Sequence, residues 1–439
     1  MMDLEKIQQH RGQVILQFAI PSIIAMVLVS MITIVDGFFI GNYIGTEGLA
    51  AVNLGLPIVY LYLAIGLMIA VGGISIAGRL LGAGEKEHSN HVFCQTIAFC
   101  IVVTFALTMV MLFLLHPISD WFQTNAVTRE FFTLYYGILI FELPLMVIGS
   151  ALDMFIRGEG NPVFVMGINI ITVVLNIVFD YIFVVPLSLG VTGIAWASLL
   201  SVAIVLIIRI FYFIRYSKIF KFESFQFNKR VLKETIFNGG SEFIGELSMC
   251  LSMTAYNYVV LKNAGVEGLA AFTIIGYVSY IFSMIIVGFG QGIVPIISFS
   301  YGAKQYLLSE QVRNTTIKMV VGAALAVFGF MSLTTRWYCG LFSDSQVVVQ
   351  LVTPGLRLQM SSFAFAGVNT IASFYFTSIG KAKESAIISA SRGLVVLMIA
   401  IFTLPALLGI TGVWLVSLTT ESVTLLFSLL YIKRYKNEK

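Results

Sequence analysis

The sequence predicts an all-α membrane protein built from twelve transmembrane helices in two six-helix lobes. Three observations support this fold class: the composition, the distribution of positive charge and an internal duplication. Of the 439 residues, 58% are hydrophobic and 11% are charged, whereas a soluble domain carries roughly a quarter of its residues as charges. The composition therefore excludes a water-soluble enzyme and indicates a polytopic membrane protein.

The twelve predicted spans are apolar stretches of at least about 18 residues, the length needed to cross the hydrocarbon core. Several are longer, which predicts tilted helices or helices that project beyond the bilayer. In order, the spans are Gln13–Ile40, Leu49–Leu81, His91–Leu115, Glu130–Ile156, Pro162–Leu187, Val191–Tyr212, Ile236–Val260, Leu269–Ser300, Thr315–Leu333, Val347–Phe376, Ala386–Leu408 and Gly412–Ile432.

Positive charge is concentrated on one side of this arrangement. Arg129, Lys262 and Arg336 fall on the side opposite the termini, and Arg357 and Arg392 fall inside spans. The remaining 21 of the 26 Lys and Arg residues lie on the side of the termini. Because loops rich in Lys and Arg stay in the cytoplasm, both termini are predicted to be cytoplasmic.

The longest polar stretch, residues 217–234, separates spans six and seven. Its basic residues alternate with four phenylalanines between positions 220 and 227. This pattern fits an amphipathic helix lying on an anionic lipid surface, and it equally fits a linker that joins two halves. The predicted organisation is an N-lobe over residues 1–216, a cytoplasmic linker over 217–234 and a C-lobe over 235–439.

The chain is an internal duplication, because a shift of 220 residues matches it to itself. Across Gly45–Gly84, 12 of 40 positions are identical to residues 265–304, and Gly160 falls on Gly380. Six spans separate the copies, and an even number preserves their orientation, so a pseudo-two-fold axis runs along the membrane normal. Two such lobes would enclose a cavity that opens to either side as they rock. The duplication therefore favours a transporter.

Ionisable side chains at membrane depth are the candidate functional residues, since they are costly to insert. In span five, Asn176 and Asp180 lie one turn apart on one helix face. Their oxygens could bind a small cation, or the amide could support a desolvated carboxyl that carries a proton. The alternative is a polar pair that only hydrogen-bonds between helices. Asp36, near the outer end of span one, is either a functional intramembrane carboxylate or simply a solvated one.

The second half carries an acidic pair of its own. Glu242 and Glu246 in span seven repeat the one-turn spacing, which suits proton binding or attraction of a cationic substrate. With Tyr256 in the same span, they form a candidate substrate site or second coupling site. Asp153 and Arg157, also one turn apart, predict a local ion pair within span four. Other ionisable residues at this depth are Glu142, Arg357, Arg392 and Glu421.

No catalytic motif accompanies these residues. The sequence lacks H-E-x-x-H, G-x-S-x-G and Walker A patterns. His88 and His91 have no acidic or cysteine companion placed to complete a metal site. We therefore predict that the chain is not an enzyme, holds no cofactor or resident metal, and draws its energy from an ion gradient.

Several motifs together carry a resemblance to a known family. The proline-bearing first helix ends in VDGFFIGNYIGTEGLAAVNLGLP, and AGRLLGAGEKE follows it. IRGEGNP and TSIGKAK stand in corresponding loops of the two halves, and NIVFD lies in span five. Over nearly the whole chain this combination resembles the multidrug and toxic compound extrusion (MATE) family, and within it the bacterial MepA-like and DinF-like branch.

The resemblance implies a V-shaped cavity between the lobes and a cation site in the N-lobe. In similar proteins that site uses an acidic residue on helix one, an Asn and an Asp one turn apart on helix five, and a hydroxyl on helix six. Asp36, Asn176 and Asp180 match these positions and would be the ligands of a sodium ion, and Ser198 is a looser match for the hydroxyl.

Some relatives use a second site, with a Glu on helix seven and an Asp on helix ten. Glu242 is suitably placed for the first, but span ten offers Arg357 and no aspartate. The resemblance therefore favours the N-lobe site.

The predicted function is secondary active antiport by alternating access. Amphipathic, often cationic aromatic compounds would leave a bacterial cell across its inner or plasma membrane in exchange for sodium ions or protons. The expected partners are small-molecule drugs or toxins and the lipid bilayer, with no nucleic acid, and the protein is expected to be a monomer. The alternative is a flippase of lipid-linked saccharides, in which Arg357 and Arg392 would bind diphosphate.

Overall fold

The computed structural model describes residues 3–121, 125–340, 342 and 345–437. Within these residues the chain is helical, and the long apolar stretches of the sequence form the helices. The helices are α1 (Leu4–Gln9), α2 (Arg11–Tyr43), α3 (Thr46–Gly82), α4 (Lys86–Trp121), α5 (Ala126–Gly158), α6 (Pro162–Val184), α7 (Gly190–Arg215), α8 (Lys229–Gly302), α9 (Tyr306–Gly340), α10 (Gln346–Ser361), α11 (Phe363–Ser378), α12 (Ala382–Ala390), α13 (Val396–Leu408) and α14 (Ile410–Asn437).

These helices provide the twelve predicted spans. Among the described residues, ten helical segments are long and apolar enough to cross a membrane. Span seven is the first part of α8, which bends sharply at Gly265, where φ is 61°. Span ten is divided between α10 and α11, and span eleven comprises α12, a π-helical turn at Ser391–Val395 and α13. We use N-lobe for α2–α7 and C-lobe for α8–α14.

The backbone conformation of the turns confirms the duplication. Four pairs of residues, three related by the 220-residue shift and the last by 219 residues after one deletion, adopt left-handed φ angles, which glycine reaches without a steric penalty. The pairs are Gly45 and Gly265 (φ 105° and 61°), Gly84 and Lys304 (85° and 59°), Gly160 and Gly380 (93° and 79°), and Gly190 and Gly409 (59° and 58°). The two halves therefore repeat the same helix–turn topology, including at Lys304, where the glycine has been replaced.

The lobes meet at the end of the molecule that holds the chain termini, which we call the terminal end. A methyl group at Gly82 would overlap the carbonyl of Phe299, and one at Gly302 would overlap the carbonyl of Arg79. The 220-residue shift exchanges these two contacts, as expected across a pseudo-two-fold axis. Small residues allow helix backbones to approach this closely, so α3 and the later part of α8 form a tight crossing.

Two arginines of the N-lobe also reach across to α8 and the C-lobe at the terminal end. Arg79 Nη2 lies 2.7 Å from Glu234 Oε1, and Arg79 Nη1 donates to the carbonyl of Ser378 at 3.1 Å. Arg157 Nη1 donates to Gln291 Oε1 at 2.8 Å. These charge-assisted hydrogen bonds join the lobes where the glycines bring the helices together.

The lobes separate toward the opposite end, where α2 meets α3 and α8 bends at Gly265. Phe38 on α2 and its counterpart Tyr258 on α8 are 61% and 62% exposed. Glycines nearer this end, such as Gly55 and Gly66, contact side chains of their own lobe. The two lobes therefore enclose a V-shaped cavity that is closed at the terminal end.

The segment between the lobes is irregular rather than helical, since no helix covers residues 216–228. Glu159 holds it, because its Oε1 accepts hydrogen bonds from the backbone N–H groups of Ile219 and Phe220, both at 2.9 Å. The Gln95 side chain bonds both backbone groups of Asn228. The alternative of an amphipathic helix does not apply to this stretch, and α8 begins only at Lys229.

Each lobe has its own hydrophobic core, but α2 contributes to both. Phe39 and Ile40, late in α2, pack into the N-lobe core. Ile15 and Phe18, early in the same helix, pack into the core built from α8–α14. The α2 helix therefore connects the packing of the two lobes along its length.

Candidate functional site

The predicted N-lobe residues come together inside the bundle. Asn176 and Asp180 lie one turn apart on α6 and are fully buried. Asn176 Nδ2 approaches Ser198 Oγ on α7 at 3.4 Å, and Ser198 Oγ donates to Asp36 Oδ2 on α2 at 3.5 Å. The Asp36 carboxyl also lies beside the Asp180 side chain. Three helices thus bring all four residues into one cluster.

Acceptor oxygens outnumber donors in this N-lobe cluster. Within the described part of the chain, Asp36 Oδ1, Asn176 Oδ1 and both carboxylate oxygens of Asp180 are buried and accept no hydrogen bond. Buried acceptors without partners are costly, and more so when they carry charge. A sodium ion bound by oxygen atoms, or a proton shared between the carboxyls, would satisfy them.

Two further side chains belong to this cluster, both from α5. Glu142 is buried, and its carboxyl is close enough to Asp36 for electrostatic interaction. Tyr135, two turns earlier on the same helix, is buried near Asp36, Glu142 and Asp180. The sequence marked Glu142 as an intramembrane acid but gave no reason to join it to the site. Nothing in the sequence distinguished Tyr135 from the other tyrosines.

The candidate C-lobe site does not form a single cluster. Glu242 and Glu246 lie one turn apart on α8, and Glu242 is near Arg392. Tyr256 lies fourteen residues further along, roughly 21 Å away along the helix axis. There it stacks on Phe272, with ring centroids 5.1 Å apart. The acidic pair and the aromatic surface therefore line different depths of α8.

A network centred on Arg392 and Glu421 occupies the C-lobe interior. Arg392 Nε and Nη2 donate to Glu421 Oε1 at 3.1 and 2.8 Å, and Nη1 donates to Thr370 Oγ1. Asn369 Nδ2 donates to Glu421 Oε2 at 2.8 Å, and Ser428 Oγ donates to Asn369 Oδ1 at 2.8 Å. The network joins α11, α14 and the π-helical turn.

The local ion pair predicted between Asp153 and Arg157 is wrong. Asp153 instead forms a two-pronged pair with Arg209 on α7, through Nε at 2.8 Å and Nη2 at 3.0 Å. Arg157 turns away to Gln291 in the C-lobe. The one-turn spacing permitted a pair within α5, but a planar guanidinium on the neighbouring helix matches the carboxylate better.

Arg357 takes no part in either cluster. It lies on α10, and its side chain is exposed. The two intramembrane arginines therefore differ: Arg392 is bound to a carboxylate, and Arg357 faces outward from its helix.

The fold and these buried polar clusters define a polytopic helical membrane transporter with an internal repeat. The sequence profile of the MatE family matches residues 21–182 and 243–402, one segment in each half. The chain therefore belongs to the MATE family. This agrees with the resemblance inferred from the motifs.

Proteins with similar sequences are named multidrug exporters. The multidrug export protein MepA of Staphylococcus saprophyticus is 24% identical over 435 residues, covering 98% of this chain and 94% of that protein. MepA of Staphylococcus haemolyticus is 25% identical over 434 residues, covering 96% of this chain and 93% of that protein.

Solved structures share the fold over nearly the full length. One is the outward-facing conformation of a multidrug resistance MATE family transporter, with a TM-score of 0.91, 24% identity and 97% of each chain covered. Another, a MOP superfamily transporter from Pyrococcus furiosus, has a TM-score of 0.90 at 24% identity over 97% of this chain and 95% of that one. Both likenesses confirm the two-lobed architecture.

Proposed function

We propose that this protein is a secondary active multidrug antiporter. It exports amphipathic, often cationic aromatic compounds in exchange for sodium ions or protons that bind in the N-lobe. Membership of the MATE family and the names of the MepA relatives support the export of drugs. On this proposal the terminal end faces the cytoplasm of a bacterial cell, as the positive charge on that side favours.

The observation that carries the coupling proposal is the convergence of unpartnered acceptors in the N-lobe. Asp36 and Asp180 come from different helices, and their buried carboxyls meet beside the Asn176 side chain, whose amide oxygen is also without a partner among the described residues. The interaction of two carboxyls in a desolvated site is unfavourable unless a cation or a proton is present. Binding there is therefore linked to the relative position of α2 and α6.

Alternating access follows from where the coupling residues lie. Asp36 lies late in α2, within the N-lobe, whereas the early part of α2 packs into the C-lobe core. A cation that draws α2 toward Asp180 changes the position of the same helix relative to α8. Such a change would favour one orientation of the lobes over the other, as antiport requires.

The drug is proposed to bind in the V-shaped cavity. Glu242 and Glu246 supply negative charge, and the Tyr256 and Phe272 rings supply a flat surface at another depth. A cation attracted by carboxylates and stacked on aromatic faces needs little shape specificity. This arrangement suits a broad range of cationic aromatic substrates.

The test is efflux of a fluorescent cationic dye from proteoliposomes under sodium and proton gradients imposed separately. Asp36→Asn and Asp180→Asn each remove a coupling charge, so each is expected to reduce gradient-driven efflux to the level of protein-free liposomes. Whichever gradient drives the wild type identifies the ion. The matched control is Asp120→Asn, which removes a 66%-exposed carboxylate paired with Arg129, and its efflux should equal that of the wild type.

Full gradient-driven efflux in both site variants would refute the coupling proposal. Absence of dye efflux by the wild type under either gradient would refute antiport of cationic dyes. The flippase alternative requires free guanidinium groups for a diphosphate. It is disfavoured because Arg392 already binds Glu421 and Thr370.

A further inference from the structure

The Arg392–Glu421 network of the C-lobe is internally satisfied. Both oxygens of Glu421 accept hydrogen bonds, one from Arg392 and the other from Asn369. The Thr370 hydroxyl and the Glu421 carboxylate together bind all three nitrogens of the guanidinium. Asn369 is satisfied in turn by Ser428. A carboxylate and a hydroxyl are groups expected around a bound cation, and here the Arg392 guanidinium, which contacts both, is the cation.

The N-lobe cluster contains the same kinds of group but no cation of its own. Asp36, Asn176, Asp180 and Ser198 provide two carboxylates, an amide and a hydroxyl. Four of their oxygens are buried and without a hydrogen-bond partner among the described residues. The described residues that surround the cluster add another carboxylate, Glu142, rather than a base. The buried carboxylate of the C-lobe is thus neutralised by an arginine of the protein, whereas the carboxylates of the N-lobe cluster require a cation or proton from solution.

The internal repeat relates the two clusters. The 220-residue shift places Tyr256 at the position of Asp36, and Val396 and Ala400 at the positions of Asn176 and Asp180. Gly190 and Gly409 are related by 219 residues, so one residue is deleted in the second copy; if the deletion precedes these positions, the counterparts are Val395 and Ile399, which are equally apolar.

The C-lobe therefore lacks counterparts of Asp36, Asn176 and Asp180. Arg392 lies one turn before Val396, at the adjacent level of the same helix, and the π-helical turn at Ser391–Val395 carries it. Such turns often occur at functional sites.

The Arg392–Glu421 pair differs from an ion pair that only joins two helices, as the buried Arg209–Asp153 pair does. Arg209 and Asp153 are 7% and 9% exposed, so both members of that pair are buried. Arg392 is 27% exposed and lies near Glu242, whereas its partner Glu421 is 10% exposed. The guanidinium thus sits between a sealed carboxylate and a solvent-accessible surface, in the position a cation entering from solution would take.

We infer that Arg392 is a built-in cation that fills the carboxylate site of the C-lobe, so that the N-lobe alone exchanges a cation with solution. That the N-lobe alone exchanges a cation rests on the proposed function. Removal of the guanidinium should therefore create a second, exchangeable cation site at Glu421.

The experiment measures thermal unfolding of the purified protein in detergent, with and without about 10 mM methylguanidinium. Arg392→Ala is expected to unfold at a lower temperature than the wild type. Added methylguanidinium should raise its midpoint by about 2 °C, because a ligand that binds the folded state stabilises it. The wild type should not respond, and neither should Arg392→Ala combined with Glu421→Gln. Arg392→Gln, which keeps most of the side-chain volume, provides a second vacated site if the alanine variant folds poorly.

The matched control is Arg209→Ala: Arg209 is itself buried, so its removal opens no path from solvent to Asp153, and no response to methylguanidinium is expected. Failure of both Arg392 variants to respond would overturn the inference. So would a response that persists with Glu421→Gln, or an equal response in Arg209→Ala. This readout requires no transport, so it is independent of the dye-efflux test of the coupling site.

Discussion

Lys304 holds a left-handed backbone conformation that its counterpart Gly84 adopts freely. Its φ of 59° brings the β-carbon close to the neighbouring carbonyl, which costs about 1–2 kcal/mol for an L-residue. The side chain is exposed, so it recovers none of this cost through burial. Divergence of the two halves has therefore changed the residue while the turn has kept its shape.

Lys304→Gly should raise the free energy of unfolding by up to about 1 kcal/mol, because relief of the strain exceeds the entropy that glycine adds to the unfolded chain. Thermal unfolding in detergent measures this. Lys304→Ala is the control: it removes the side chain but keeps the β-carbon, so no gain is expected. The interpretation is wrong if alanine stabilises as much as glycine.

The residue types of the N-lobe site could be predicted from the sequence, but the pairing of arginines could not. Asn176 and Asp180 stood out because polar residues in an apolar span are costly, and one-turn spacing places them on one face. Arg209 finds Asp153 and Arg392 finds Glu421 across 56 and 29 residues of chain. Those pairings depend on helix rotation and packing, which spacing within one helix does not specify.

At the scale of helices, the crossing between the first part of α8 and α3 depends on one of two adjacent glycines. A methyl group at Gly239 would overlap the Met68 carbonyl, whereas the β-position of Gly240 has nothing within 4 Å. The overlapped atom belongs to the backbone and has no rotamer through which to move away. The sequence shows two equivalent glycines, and only the structure distinguishes them.

Gly239→Ala should therefore force α8 away from α3 and reduce dye efflux at least about tenfold. A tenfold reduction corresponds to destabilisation of the closed arrangement by about 1.4 kcal/mol. Gly240→Ala is the adjacent control and should transport like the wild type. Efflux from proteoliposomes with equal protein content compares the two. Equal activity of the variants would contradict the predicted close crossing.

The helices agree with the spans predicted from hydropathy except where a turn or an irregular helical segment interrupts a span. The long apolar spans appear as single helices, whereas span ten is divided at Ser362 and span eleven contains a π-helical turn. Neither feature has a hydropathy signal. The aromatic and basic pattern after span six fitted a helix, yet Glu159 and Gln95 hold the segment in an irregular, non-helical conformation. Contacts between segments distant in sequence override local pattern there.

At the scale of the whole molecule, Arg79 holds the terminal end closed. It binds Glu234 and the Ser378 carbonyl at the same time, and Ser298 lies fully buried against Gly78 in the crossing beside it. The duplication predicted two lobes around an axis, but it could not predict which end is closed. The contacts that close this end are polar ones between segments distant in sequence, which the repeat does not specify.

Arg79→Ala should shift the protein toward conformations open at the terminal end. The measurement is the rate at which a water-soluble maleimide labels Ser298→Cys in a background without other cysteines. We expect slow labelling when Arg79 is present and labelling at least about fivefold faster with Arg79→Ala, equivalent to about 1 kcal/mol of lost closure. The exposed Arg129, replaced by alanine, is the control. Equal labelling rates with Arg79 and with Arg79→Ala would exclude this role.

The placement of α2 in two cores has a consequence for how the chain can be divided. Cleavage of the segment between the lobes near Ser217 would leave the N-terminal fragment with Ile15 and Phe18 uncovered. The C-terminal fragment would lack the part of α2 that packs into its core. Neither fragment would be a self-sufficient folding unit, despite the internal repeat. If the two fragments were produced together, they would associate through the early part of α2, which packs into the core of the C-terminal fragment. The duplicated gene has therefore yielded two copies of a fold but one indivisible protein.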